Sequence, residues 1–231
     1  MEFNAYKMDG LGNDFVIIDQ RVKTINLSKE NIVKICSRDF IGCDQLIYIN
    51  KNKDNKDKLI FYNSDGTISG ACGNGTRCVA KLLSKEYGKK EINLETSSGN
   101  LHSLILKENL VETNIGIPSM VWDKIPLIKE MNTKNLNVTI NDINGEKFTG
   151  GIAINVGNPH MIFFVENNEN YEIENIGPVI EQHEYFPEKC NVTIATIKNE
   201  NLINVKVWER GAGLTKACGT AACATAFAGF I

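Results

Sequence analysis

A chain of 231 residues, 42% of them hydrophobic, is long enough to bury one large core or two smaller ones. Its 25 basic and 28 acidic residues give a formal charge of −3, without the cationic surplus of a phosphate-binding surface, which argues against a nucleic-acid partner. No apolar run approaches the roughly 18 to 20 residues that span a bilayer, and the first residues lack the cationic and apolar segments of a secretory signal, so a cytoplasmic protein with seven reduced thiols is expected.

In chain order, residues 15–19, 45–49, 59–62 and 92–95 are short and rich in β-branched or aromatic side chains, as strands are. Ser28 suits the N-cap of a helix over 29–37, in which Ile32, Val33 and Ile35 are apolar. The charge run 51–58 alternates in sign between two strands and reads as a solvated hairpin loop. A helix over 75–87 sets Val79, Leu82 and Leu83 at helical spacing and stops at Gly88. Segment 116–126 holds Pro118 and Pro126 without periodicity, which predicts a first domain over 1–116 and a second over 117–231. In the second, 152–154, 161–165, 192–197 and 203–207 read as strands and 220–230 as a helix whose apolar face needs a surface to pack on.

Ala71-Cys72-Gly73 recurs as Ala217-Cys218-Gly219, with the cysteines 146 residues apart (218 − 72). Polar residues recur in nearly the same register: Asn13 with Asn158, Gln45 with Asn191, and Asn63 with Glu209. Self-similarity at a domain-sized period marks a duplicated unit. The chain is therefore expected to form two similar domains, each with strands around one central helix.

Each repeated cysteine lies just ahead of a helix. A helix start carries unpaired N–H groups and about half a positive charge, which favours a thiolate and a bound carboxylate. There a cysteine pKa can fall from about 8.5 to near 7, where a thiol serves as a general base at neutral pH. Two such thiols on opposite faces of one α-carbon make a two-base racemase or epimerase, with the developing carbanion stabilised through the carboxylate. Cys36, Cys43 and Cys190 read as core packing, as do Cys78 and Cys223 inside the helices. Spacings of C-x5-C and C-x4-C lack zinc knuckles, so no metal is expected. No nucleotide signature or C-x-x-C redox pair occurs, so no cofactor is expected either. Glu209 and Arg210 suit an ammonium and a carboxylate. The asparagines also suit turns, and His160 a satisfied loop position. A noncatalytic thiol-binding or zinc-binding protein and another two-cysteine amino-acid racemase are the competing classes.

At these residues the chain closely resembles the diaminopimelate epimerase family, cofactor-independent enzymes that interconvert the LL and meso forms of diaminopimelate in lysine and peptidoglycan-precursor synthesis. The matching pieces are Met8-Asp-Gly-Leu-Gly-Asn-Asp-Phe15, Gly42-Cys-Asp-Gln-Leu46, Asn63-Ser-Asp-Gly66, Cys72-Gly-Asn-Gly-Thr-Arg77, Gly157-Asn-Pro-His160, Glu209-Arg-Gly211 and Ala217-Cys-Gly-Thr220. The resemblance implies that Cys72 and Cys218 are the acid–base pair, supported by His160 and Glu209. It further implies that Gly73, Asn74, Gly219 and Thr220 hold the reacting carboxylate through their backbone. Asn13, Gln45, Asn63, Asn158, Asn191, Glu209 and Arg210 are implied to bind the substrate's amino and carboxylate groups. The family fold implies α/β (α+β) architecture, two similar domains that are each a mixed β-sheet or barrel wrapped around a central helix, with an active site in the interdomain cleft and a homodimer. Two departures stand out: Ala221 replaces the family's usual glycine, and the sequence stops before the family's closing strands.

Overall fold

Alternation along three neighbouring strands organises the first half of the chain. The computed structural model describes residues 3–70, 72–107, 109–215 and 217–231, and the chain divides into two units, Met1–Gly116 and Ile117–Ile231. The first runs β1 (Tyr6–Gly10), β2 (Asn13–Asp19), α1 (Lys29–Cys36), β3 (Gln45–Lys51), β4 (Asp57–Asn63), β5 (Ile68–Ser69), α2 (Gly73–Tyr87), β6 (Glu91–Thr96), β7 (Gly99–Lys107) and β8 (Leu110–Asn114). Its mixed sheet has the order β1-β2-β3-β4-β6-β7-β8, with β5 on β4. Phe15, Ile17, Ile47, Ile49, Leu59 and Phe61 share a core with Val79, Ala80 and Leu83 of α2. Their neighbours Val16, Ile18, Leu46 and Tyr48 join Ile32 and Ile35 of α1 on the opposite face. Because α2 packs against β1 and β8, the two ends of the sheet, the sheet curls around it.

Local chemistry sets the helix limits. The Ser28 hydroxyl accepts from the Asn31 amide at 3.3 Å and caps α1, while Gly88 takes the left-handed conformation, φ 64°, that ends α2. Beneath the loop that leaves α1, the Cys43 amide donates to the Cys36 carbonyl at 3.0 Å and the two sulfurs lie 3.4 Å apart, both buried.

The second unit opens with a small hairpin of β9 (Val138–Asn141) and β10 (Lys147–Gly150). It continues through β11 (Ile152–Asn155), β12 (Pro159–Phe164), α3 (Ile173–Glu181), β13 (Asn191–Asn199), β14 (Leu202–Glu209), β15 (Gly213–Leu214) and α4 (Gly219–Phe230). The larger sheet has the order β11-β12-β13-β14-β15. Met161, Phe163, Val192 and Ile194 pack with Ile173 and Ile180 of α3. Phe164 and Ile203, of the other parity, meet α4 at Gly229.

The duplication is written in the topology. In both units an antiparallel pair leads to a helix, a strand parallel to the second of the pair, an antiparallel return, a two-residue strand and then the inner helix: β1-β2-α1-β3-β4-β5-α2 against β11-β12-α3-β13-β14-β15-α4. Tyr62 pairs with Ile68 in one unit and Trp208 with Leu214 in the other, residues at the same 146-residue offset as the cysteines.

Some expectations need correction. Helix α3 was not anticipated, because Gly177 and Pro178 interrupt its nine residues. Cys78 is buried as expected, but Cys223 is exposed, because Ala221, Ala224, Thr225 and Ala228 form the buried side of α4. No described helix is long and apolar enough to cross a membrane.

Candidate active site

Each unit carries a cluster of candidate site residues, built where its inner helix begins. Cys72 is the N-cap of α2, with φ −136° and ψ 114°, and Cys218 is the N-cap of α4, with φ −124° and ψ 107°. The same extended backbone thus turns two thiols off two helix starts. The Cys72 carbonyl accepts from the Thr76 amide and hydroxyl, each at 2.8 Å, and the Cys218 carbonyl accepts from the Ala222 amide at 3.1 Å. The amides of Gly73, Asn74, Gly219 and Thr220 belong to first turns, whose N–H groups have no partner within the helix. Asn74 Oδ1 accepts from the Arg77 guanidinium. Ala71 and Lys216, which flank the two cysteine motifs, lie outside the described residues.

Strand ends supply the polar side chains. Gly75 sits so tightly on the first sheet that a Cβ there would lie 2.7 Å from Ile47, 3.0 Å from Phe61 and 3.2 Å from Phe15. One strand repeat further on the same face are Gln45, Asn63 and Asn13. Phe15 pairs with Gln45 and Gln45 with Asn63, so these ends are brought together by register. The Gln45 amide donates to Asn63 Oδ1 at 3.0 Å, and Asn63 Nδ2 donates to Thr67 at 3.1 Å. Asn13 Oδ1 and Gln45 Oε1 are buried acceptors with no hydrogen-bond donor among the described residues. Such acceptors are costly unless something donates to them.

The matching ends of the second sheet are bonded internally. His160 pairs in register with Asn191. His160 Nε2 lies 2.8 Å from Asn158 Oδ1; since that oxygen only accepts, Nε2 carries the hydrogen. Full burial, with Arg210 as a second cause, holds the His160 pKa down at about 3, so the imidazole is neutral. Asn191 donates to the Pro159 carbonyl and accepts from the Arg210 amide, each at 3.0 Å, which makes it a brace between β12 and the turn after β14. The Arg210 guanidinium donates to the Glu188 carbonyl at 2.8 Å, and Glu209 accepts from Thr215.

The charge on Cys218 runs against the sequence expectation. Burial raises its thiol well above the usual thiol range, and the Glu209 carboxylate pushes the same way; the Thr220 hydroxyl, 3.3 Å from the sulfur, and the Ala221 amide offset only part of this. A helix start alone favours thiolate, but a neighbouring carboxylate and desolvation outweigh it, so Cys218 is a neutral thiol at pH 7.

Sequence reasoning missed Glu181. Its buried carboxylate accepts from the Trp208 indole at 2.7 Å and from the Gly211 amide at 3.2 Å. No motif marks it, because the fold alone brings the end of α3 against a turn 30 residues later.

A family model described as diaminopimelate epimerase matches residues 5–121 and 152–231. The diaminopimelate epimerase of Pelagibacter ubique (strain HTCC1062) is 67% identical over 228 residues, covering 99% of this chain and 83% of that protein. The diaminopimelate epimerase of Caulobacter vibrioides (strain NA1000 / CB15N) is 40% identical over 227 residues, covering 94% and 79%. Among solved structures, a hydroxyproline epimerase from Agrobacterium vitis with bound trans-4-hydroxy-L-proline aligns with a TM-score of 0.65 at 12% identity, covering 96% of this chain and 75% of that one. At that identity the likeness bears on the fold alone.

Proposed function

We propose, since this chain belongs to the diaminopimelate epimerase family, that it interconverts LL- and meso-diaminopimelate by a two-base transfer of the α-proton between Cys72 and Cys218. The observation that carries this reading is the duplication: two thiols occupy the same N-cap position on the same element of two matched units. One sulfur, as thiolate, takes the α-proton, while the other, as thiol, returns a proton to the opposite face of the same carbon. Protonated Cys218 is suited to the donor step, which leaves Cys72 as the base in that direction; the reverse direction exchanges the roles.

The other residues fall into place around that transfer. Backbone N–H groups of Gly73, Asn74, Gly219 and Thr220 hold the reacting carboxylate and stabilise the charge that builds on it as the proton leaves. A substrate ammonium supplies the donors that the buried oxygens of Asn13 and Gln45 call for, with Asn63 fixed beside them. Glu209 receives a second ammonium contact and keeps Cys218 protonated. Arg210 pairs with a carboxylate. His160, neutral and buried, supports the site by orienting Asn158, and Asn191 does so by holding the Arg210 amide. In this reading the enzyme needs no cofactor, works in the cytoplasm as a homodimer and serves lysine and peptidoglycan-precursor synthesis.

The test is proton exchange in heavy water. Incubation with LL-diaminopimelate and no added cofactor should place deuterium at the α-carbon as the meso form accumulates. No wash-in at saturating substrate would refute the reading.

A further inference from the structure

The two units differ where their outer helices end. In the first, the Cys43 amide donates to the Cys36 carbonyl at the end of α1; in the second, the Cys190 amide donates to the Glu181 carbonyl at 3.3 Å at the end of α3. Cys36 and Glu181 therefore occupy equivalent backbone positions. In one unit that position carries a thiol turned toward a second thiol. In the other it carries a carboxylate, of which only 6% is exposed.

Burying a carboxylate is expensive unless donors meet it. Here the donors come from one turn: Trp208 Nε1 bonds one carboxylate oxygen at 2.7 Å and the Gly211 amide bonds the other at 3.2 Å. Trp208 immediately precedes Glu209, and Gly211 immediately follows Arg210. The indole is also seated on α3, where a Cβ on Gly177 would approach within 2.4 Å of it. Lys189, half exposed at 3.6 Å, adds a weak ionic partner.

We propose that Glu181 is a positioning residue: by gripping the turn on both sides of Glu209 and Arg210, it fixes the direction in which those two side chains meet the substrate. This rests on the function proposed above. Glu181 touches no reacting atom, so its effect is expected in substrate binding more than in the proton step.

The test pairs kinetics with amide exchange in Glu181→Gln, Glu181→Leu and Trp208→Phe. Gln keeps one acceptor and presents an NH2 group to the other donor, so kcat/KM should fall roughly tenfold; Leu removes both acceptors, so it should fall about 100-fold, mostly through a rise in KM. Trp208→Phe, which leaves the Gly211 bond in place, should give the smallest rise in KM. Exchange of the Gly211 amide should quicken at least tenfold in Glu181→Leu, which removes its acceptor. A merely structural role would reduce the folded fraction, and hence apparent kcat, with KM unchanged. An unchanged KM in the folded Glu181 variants, or unchanged Gly211 exchange in folded Glu181→Leu, overturns the proposal. If Glu181→Leu does not fold, Glu181→Gln and Trp208→Phe decide it. A wild-type protein without α-proton exchange overturns the proposed function and with it the substrate-directing role of Glu181, whereas normal wild-type activity with unchanged variants overturns Glu181 positioning alone.

Discussion

The strand ends beside α2 present neutral amides, Asn13, Gln45 and Asn63, whereas those of the second unit present a carboxylate, a guanidinium and a buried imidazole. One duplicated backbone thus carries two electrostatic environments. Among the described residues, two buried oxygens of the first lack donors; in the second, His160 Nε2 bonds Asn158 and Asn191 holds the Arg210 amide, with His160 Nδ1 the buried atom left without a partner. The symmetry fixes where the thiols emerge from the chain, and the departures from it set their surroundings: Glu209 stands where the first unit has Asn63, and it adds to the burial that raises Cys218.

The comparison breaks most sharply at the cysteines. Cys72→Ala and Cys218→Ala should each lower epimerisation by about 10³-fold or more, as expected when an essential acid or base is removed. Turnover within tenfold of wild type in either variant would show that one thiol suffices. Next in size is Glu209→Gln, which makes the second unit resemble the first. Activity should fall by roughly 100-fold, the scale of losing a charged hydrogen-bonding partner. At the same time iodoacetamide should alkylate Cys218 several-fold faster at pH 8, because one of the causes that raise its thiol is gone. An unchanged alkylation rate would mean that Glu209 does not govern this thiol.

Acid separates the units as well. His160 has a folded pKa of about 3, below the unfolded value near 6.5, so the unfolded chain takes up its proton first as pH falls. Its contribution is full above pH 6.5 and declines toward pH 3 by roughly 1.4 kcal/mol per unit. In the first unit burial works to raise Asp14, but bonds from Arg38 and Lys7 hold it below the usual carboxylate range. That stability is present above about pH 4 and is lost only below it. Between pH 7 and 5, urea unfolding of wild type should therefore show an excess loss of about 2 kcal/mol that His160→Gln lacks. The smallest effect concerns the helix starts: Gly75→Ala forces a Cβ against Ile47 and Phe61 and should cost about 1.5 kcal/mol, while Ala221→Gly at the equivalent position should cost less than 1 kcal/mol. Equal melting shifts for the two substitutions would show that the helices seat alike.

Local signals were legible in the sequence wherever the cause is local. Ser28 and Gly88 bound their helices through their own side chain and backbone, and β-branched and aromatic content exposed β2, β3 and β4. By contrast β1 and β8 carry weak patterns and are held by α2, which meets both sheet ends only after the sheet has curled. The repeated Ala-Cys-Gly located both N-cap thiols. The protonation of Cys218 was not legible, because it depends on Glu209 folding back onto it and on burial. Glu181 was invisible for the same reason, since its donors are 27 and 30 residues away.

The close approach of Cys36 and Cys43 has a practical consequence for thiol chemistry. Two sulfurs 3.4 Å apart in the core of one unit offer a mild oxidant a route to a disulfide that leaves Cys72 and Cys218 untouched. Loss of two free thiols therefore says nothing about the proposed reaction until the pair is located. Trypsin locates it, because Arg38 lies between the two: a link joins the fragments 35–38 and 39–51, and neither contains Cys72 or Cys218.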